Sequence, residues 1–176
     1  MAKDNEHIAT LQNLLDYNAS QFSSAEIQLK TVLPEWINQA ESLKLKAVLQ
    51  KYLDLIEVHL TKIEDFFEQE KISSLSINNR IMKAYIEETE EKLSYCSDAD
   101  VKDACLLAGI QTINHFKIST YGTAAAFSNA LKLEKYAEIF HEIEVHEKQI
   151  DDRLSQLAEF EINIKAKEPN YFNLLK

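Results

Sequence analysis

A chain of 176 residues is long enough for one domain with a sizeable core, and its balance of 45% hydrophobic and 27% charged residues is that of a globular protein. The formal net charge of −10 argues against nucleic acid and anionic membrane as partners, since both need a basic surface, and leaves cation binding open. Only two glycines and two prolines occur, which argues against sheets and tight turns and for an all-α fold of long helices.

Helix A is expected over about 5–40, bent by Pro34. Helix B follows over about 43–71, and "ISSLSINN" at 72–79 is a polar connection. A shorter helix covers about 78–95. "SYCSDADVKDA" then offers Ser97 or Asp98 as an N-cap with acids in the first turn. Helix C covers about 98–131 and helix D about 133–166, with Pro169 in a C-terminal tail over 167–176. No domain boundary, repeat or low-complexity tract interrupts the chain, so 1–176 reads as a single domain. The A–B and C–D joins are short, so each pair is expected to be antiparallel. The long B-to-C connection carries its own helix, able to return the chain from one end of a bundle to the other. This is the ferritin-like antiparallel four-helix arrangement with an added crossover helix.

No apolar run approaches the roughly 20 residues of a membrane span. The opening "MAKDNEHIAT" has no apolar signal-peptide core. Cys96 and Cys105 have no metal-like spacing, and together these features suggest a reduced, cytoplasmic protein.

Each residue advances about 100° around a helix, which defines four apolar stripes. In helix A the stripe is Ile8, Leu11, Leu15, Phe22, Leu29 and Leu33, with Glu26 at its centre. In helix B it is Val48, Tyr52, Leu55, Ile56, Ile63 and Phe66, with His59 central. Helix C presents Leu106, Ile110, Ile113, Tyr121, Ala124 and Leu131 around Lys117, with Asn114 at the edge. Helix D presents Tyr136, Phe140, Ile143, Ile150 and Leu154, with Glu144, Glu147 and Asp151 along the same strip.

Height matters as well as facing. Glu26 and His59 each stand about 16 residues from the A–B turn, roughly 24 Å along their helices. Lys117 and Glu147 each stand about 15 residues from the C–D turn. In the usual register all four helices therefore place polar groups near one central layer. Several carboxylates at one level need a cation, shared protons or water. Ferritin-like bundles use two metal ions, held by a Glu from each of two helices and a Glu-x-x-His from each of the others. Carboxylate and imidazole together suit iron or manganese.

The stretches "LQNLLDYNASQFSSAEIQL", "DACLLAGIQTINHFKISTYGTAAAF" and "EVHEKQIDDRLSQLAE" resemble the YciF/YciE-type ferritin-like stress proteins of bacteria, over roughly residues 8–160. The "YGT" at 121–123 and "DA" at 103–104 are the most specific parts. The resemblance implies a ferritin-like bundle, a homodimer and, in many members, a di-metal-type centre. It also opens a hetero-dimer with a related bundle protein. Glu26 matches the family glutamate of helix A, and Glu144, Glu147 and Asp151 match the acidic cluster of helix D. Helix C usually reads like "EHYEIA" in the family. Here those positions hold Asn114, His115, Phe116 and Lys117, so both acids are gone. Helix B tends to carry His and Glu where this chain has Tyr52 and Leu55, and His59 stands where it often has Gln or His. The expected oxygen ligands are thus missing from two of the four helices, which argues against a normal di-iron centre.

Three chemistries follow. Lys117 can stand in for the metal, pairing with Glu26 and Glu147 in a polar network that includes Asn114, Asp151, Tyr52 and Tyr121. That leaves a degenerate, non-enzymatic centre without a cofactor. A single iron or manganese ion can instead be held by Glu26, His59, Glu144 and Glu147. A two-metal ferroxidase-like or oxidoreductase-like site is the third. "EIFH" at 138–141 is a literal Glu-x-x-His, but its wheel position faces solvent. "EETEEKL" reads as an exposed helix face. No Cys/His/Asp triad or Gly-rich phosphate loop is present, so no catalytic residue is assigned.

Overall fold

A computed structural model describes residues 8–70 and 78–167. The elements are α1 (Leu11–Gln39), α2 (Leu43–Glu70), α3 (Arg80–Tyr95), α4 (Ala99–Ala130) and α5 (Glu134–Leu157). A π-helical turn at Ala158–Ile162 and a short α6 at Asn163–Lys165 follow, and there is no strand among the described residues. None of these helices is long and apolar enough to cross a membrane. The polar connection expected at 72–79 lies outside the described residues except for Asn78 and Asn79. So does the tail beyond Lys167.

Local chemistry sets the helix boundaries. α1 begins at Leu11 rather than near residue 5, because the Thr10 side chain accepts the Asn13 N–H at 3.1 Å and caps it there. Ile8, assigned to the core stripe, consequently precedes the helix and is exposed. Pro34 lies inside α1 without ending it. The Asn79 side chain caps α3 through Met82 N at 2.9 Å. Asp98 caps α4 through Asp100 N and Val101 N at 3.0 and 3.1 Å. The expected helix D is not one α-helix to residue 166: a wider π turn interrupts it after Leu157.

Each of the four long helices packs against two others, in the cyclic order α1, α2, α5, α4. Cross-helix contacts show every neighbouring pair to be antiparallel. Gln69 meets Lys135 at one end of α2 and α5, and Lys44 meets Glu161 at the other. Asp103 at the start of α4 reaches the end of α1, while Tyr121 further along α4 meets Glu26. α2 and α4 therefore run parallel across the bundle, and α3 carries the chain back along α1 and α4. This is the ferritin-like topology, all-α with one crossover helix.

Two interactions lock that topology. The Asp103 carboxylate, from α4, accepts the backbone N–H groups of Glu41 at 2.8 Å and Ser42 at 2.7 Å, tying the α1–α2 turn to a distant helix. Gly109 lets α3 approach α4, because a Cβ there would lie 2.5 Å from Thr89. The α4–α5 turn places Lys132 at φ 61°, a left-handed position favouring glycine.

The apolar core divides into two clusters. One holds Leu29, Leu33, Trp36, Ile56, Ile113 and Ile150; the other holds Phe22, Ile63, Phe66, Tyr121, Phe140 and Ile143. Each fully buried side chain of this kind contributes ~1.5–3 kcal/mol. Buried polar residues from every long helix fall between them: Glu26, His59, Lys117 with Asn114, and Glu147.

Candidate functional site: a buried Glu–Lys–Glu centre

Burying four polar side chains at one level is tolerable only if they satisfy one another. Lys117 Nζ lies 2.8 Å from Glu26 Oε2 and 2.6 Å from Glu147 Oε1, so one ammonium bridges carboxylates from α1 and α5. It also stands over the Tyr52 ring, 4.7 Å from the centroid. The remaining carboxylate oxygens take hydroxyl donors. Tyr121 donates to Glu26 Oε1 and Tyr52 to Glu147 Oε2, each at 2.5 Å. Asn114 Nδ2 donates to Glu147 Oε2 at 2.7 Å and to its backbone carbonyl at 3.0 Å. His59 Nδ1 faces both glutamates, 3.6 Å from Glu26 Oε1 and 3.5 Å from Glu147 Oε1.

Two carboxylates face one ammonium here, and Tyr52, Tyr121 and Asn114 add neutral donors to the same carboxylates. Burial by itself raises the pKa of Glu26, but Lys117 and His59 outweigh it and bring the value down to about 2. Burial by itself lowers the pKa of Lys117, and Glu147 and Glu26 outweigh it, holding the ammonium above its ordinary value. Burial, reinforced by the glutamate charges, pushes both tyrosine phenols well above theirs. The centre is therefore a charged lysine held between Glu26 and Glu147, with two tyrosines fixed as neutral donors.

The other acidic residues of helix D lie elsewhere. Glu144 turns out of the core to Lys148 at 2.6 Å and His141 at 3.2 Å, and does not join the set expected for a single ion. Asp151 bonds His115 at 2.9 Å and is partly exposed, so it is no part of the core network. Both sit at the edge of the stripe, where a short rotation exchanges core for solvent. Glu138 and His141 of "EIFH" are exposed, as their wheel position implied.

His146 belongs to this region and has no warning in the stripe pattern. Its ring stacks on His59 at 5.5 Å and 11°, with His59 Nε2 3.3 Å from His146 Nδ1. Burial and the neighbouring His59 lower its pKa. Half-buried, it links the closed centre to the surface between α2 and α5, near the Lys62–Glu142 ion pair.

Glu26, His59 and Glu147 each offer a ligand atom, all within 4.8 Å of one another, which is the donor set for one divalent ion. The bridging position between the two carboxylates is already held by Lys117 Nζ. An ion ligated by those oxygens would stand against the ammonium. A two-metal centre fits still less. Such a centre draws four carboxylates and two histidines from the bundle, whereas two carboxylates and one histidine converge here.

The model for the family described as "Domain of unknown function (DUF892)" matches residues 10–167. Protein YciF of Escherichia coli K12 is 29% identical over 163 residues, covering 91% of this chain and 97% of its own. The crystal structure of the E. coli stress protein YciF superposes with a TM-score of 0.83 at 26% identity, covering 89% of this chain and 99% of that one. YcfI from Rhodopseudomonas palustris superposes with a TM-score of 0.82 at 22% identity, covering 88% and 98%. With one family model spanning nearly the whole bundle, the chain belongs to the DUF892 family, among YciF-type helical-bundle proteins.

Proposed function

We propose that this chain is a non-enzymatic, stress-associated bundle protein whose centre is a permanent ion-pair network, with the Lys117 ammonium in place of a metal. The observation that carries this reading is the ammonium at 2.8 and 2.6 Å from two buried carboxylates on opposite helices. A charged lysine there supplies the countercharge that fixes all four helices at one level without a cofactor. The stress role rests on the likeness to E. coli YciF, a stress protein by name. Two free thiols suit a reducing, cytoplasmic setting.

Elemental analysis of protein purified without chelator tests the reading. Iron and manganese well below one equivalent are expected. One tightly held equivalent, lost in Glu147→Gln, would overturn it.

A second reading is an iron- or manganese-binding protein with ferroxidase-like or oxidoreductase-like activity. The convergence of Glu26, His59 and Glu147 favours it. It requires Lys117 to leave its position, and the same analysis decides between the two.

The working form is proposed to be a homodimer through the crossover-helix face, where Ile81 and Tyr95 are exposed. Sedimentation showing only monomer mass would refute this. Preferential capture of a related bundle protein by mixing would favour a hetero-dimer.

A further inference from the structure

Cys96 ends α3, and its thiol donates to the Lys92 carbonyl at 3.3 Å. Cys105 stands early in α4, packed against the apolar core. It lines a cavity of about 600 Å³ between α3 and α4 together with Lys92, Thr89 and Gly109. Both cysteines therefore border the last turns of the crossover helix. The Cys96 thiol rests on the Lys92 carbonyl, and Cys105 lines the same cavity as Lys92, so both cysteines stand beside one residue at the α3–α4 seam. The short α3–α4 connection and the tight Gly109–Thr89 approach hold the helices in this relation. Burial, then the neighbouring Cys96, raises the pKa of Cys105, which keeps it a thiol at rest.

We propose that Cys96 and Cys105 form a reversible oxidation site, which hydroperoxides convert to an intramolecular disulfide joining the end of α3 to α4. The cavity beside Cys105 admits a small peroxide, and Cys96, whose thiol is not packed into the apolar cluster as that of Cys105 is, is the one it oxidises. In the first step Cys96 sulfur attacks the peroxide, the O–O bond breaks, and a sulfenic acid and one alcohol or water form. Cys105 sulfur then attacks Cys96 sulfur. The S–S bond forms, the S–O bond breaks, and a second water leaves with the Cys105 proton. The two thiols lose two electrons and two protons in all, and the peroxide is reduced. A thiol reductant restores the open form.

The full chain, treated with near-stoichiometric hydrogen peroxide, quenched and unfolded, reads the outcome by intact mass and thiol titration. Loss of both thiols together is expected, with a mass decrease of two hydrogens reversed by dithiothreitol and absent in Cys96→Ser and Cys105→Ser. Retention of both thiols would overturn the proposal. So would oxygen added at one cysteine with the other free, or a covalent dimer.

Discussion

Lys117 and Glu147 face one another from α4 and α5 with Nζ 2.6 Å from Oε1, both side chains withdrawn from solvent. In water such a pair is weak. Here its partners have no alternative, because leaving either charge alone in the core costs several kcal/mol. The geometry makes Lys117 the keystone of a network reaching Glu26, Tyr52 and, through Glu26, Tyr121.

Lys117→Met therefore destabilises the protein by about 3–5 kcal/mol near neutral pH, since two carboxylates remain buried without a cation. Urea denaturation measures the loss. Adding Glu147→Gln to that variant removes one of the two stranded charges and recovers part of it.

The pH dependence has two limbs. Glu26 is lowered on folding from 4.5 to about 2, so its contribution is present above 4.5 and fades as pH falls through about 2. Lys117 is raised on folding above 10.5, so its contribution is present below 10.5 and fades as pH climbs through the raised value. Both contributions are complete between these limits, and in unfolding free energies measured across pH Glu26→Gln flattens the acid limb.

Tyr52 and Tyr121 resist ionisation because burial disfavours the phenolate, the neighbouring glutamate charges oppose it, and each hydroxyl donates to a carboxylate. The alkaline absorbance titration of the folded chain falls short of the unfolded chain by at least these two tyrosines until alkaline unfolding intervenes. Tyr121→Phe removes one donor to Glu26 and costs about 1.5–3 kcal/mol.

Gly109→Ala places a methyl 2.5 Å from Thr89 and costs about 1–3 kcal/mol by overpacking. Thr89→Ala removes the atoms that collide, so the double variant loses less than Gly109→Ala alone. Thermal melts of the three variants show this directly.

Periodicity is enough to find the four long helices, because each carries an apolar stripe of its own around a polar residue. It also gives Glu26, His59, Lys117 and Glu147 matching distances from their turns, but the inter-hairpin register that turns this into one layer is visible only in the contacts of Lys117 and His59. What it misses depends on other helices. Glu144 and Asp151 sit at stripe edges, and their nearby partners Lys148, His141 and His115 draw them outward. His146 lies about 100° from Glu147 on the wheel, so only the position of α2 reveals its stacking on His59. Asp103 is a stripe residue by period, yet its role is to accept two backbone N–H groups some sixty residues away in sequence. The π turn after Leu157 has no signal in the apolar pattern.

Calorimetric titration of chelator-treated protein with ferrous and manganous ions, run beside Lys117→Met, tests most directly whether Lys117 takes the place of the metal. The unmodified chain is expected to show no stoichiometric binding, while the variant gains affinity as the ammonium leaves Glu26 and Glu147. One equivalent bound by the unmodified chain, as tightly as by the variant, would contradict the account.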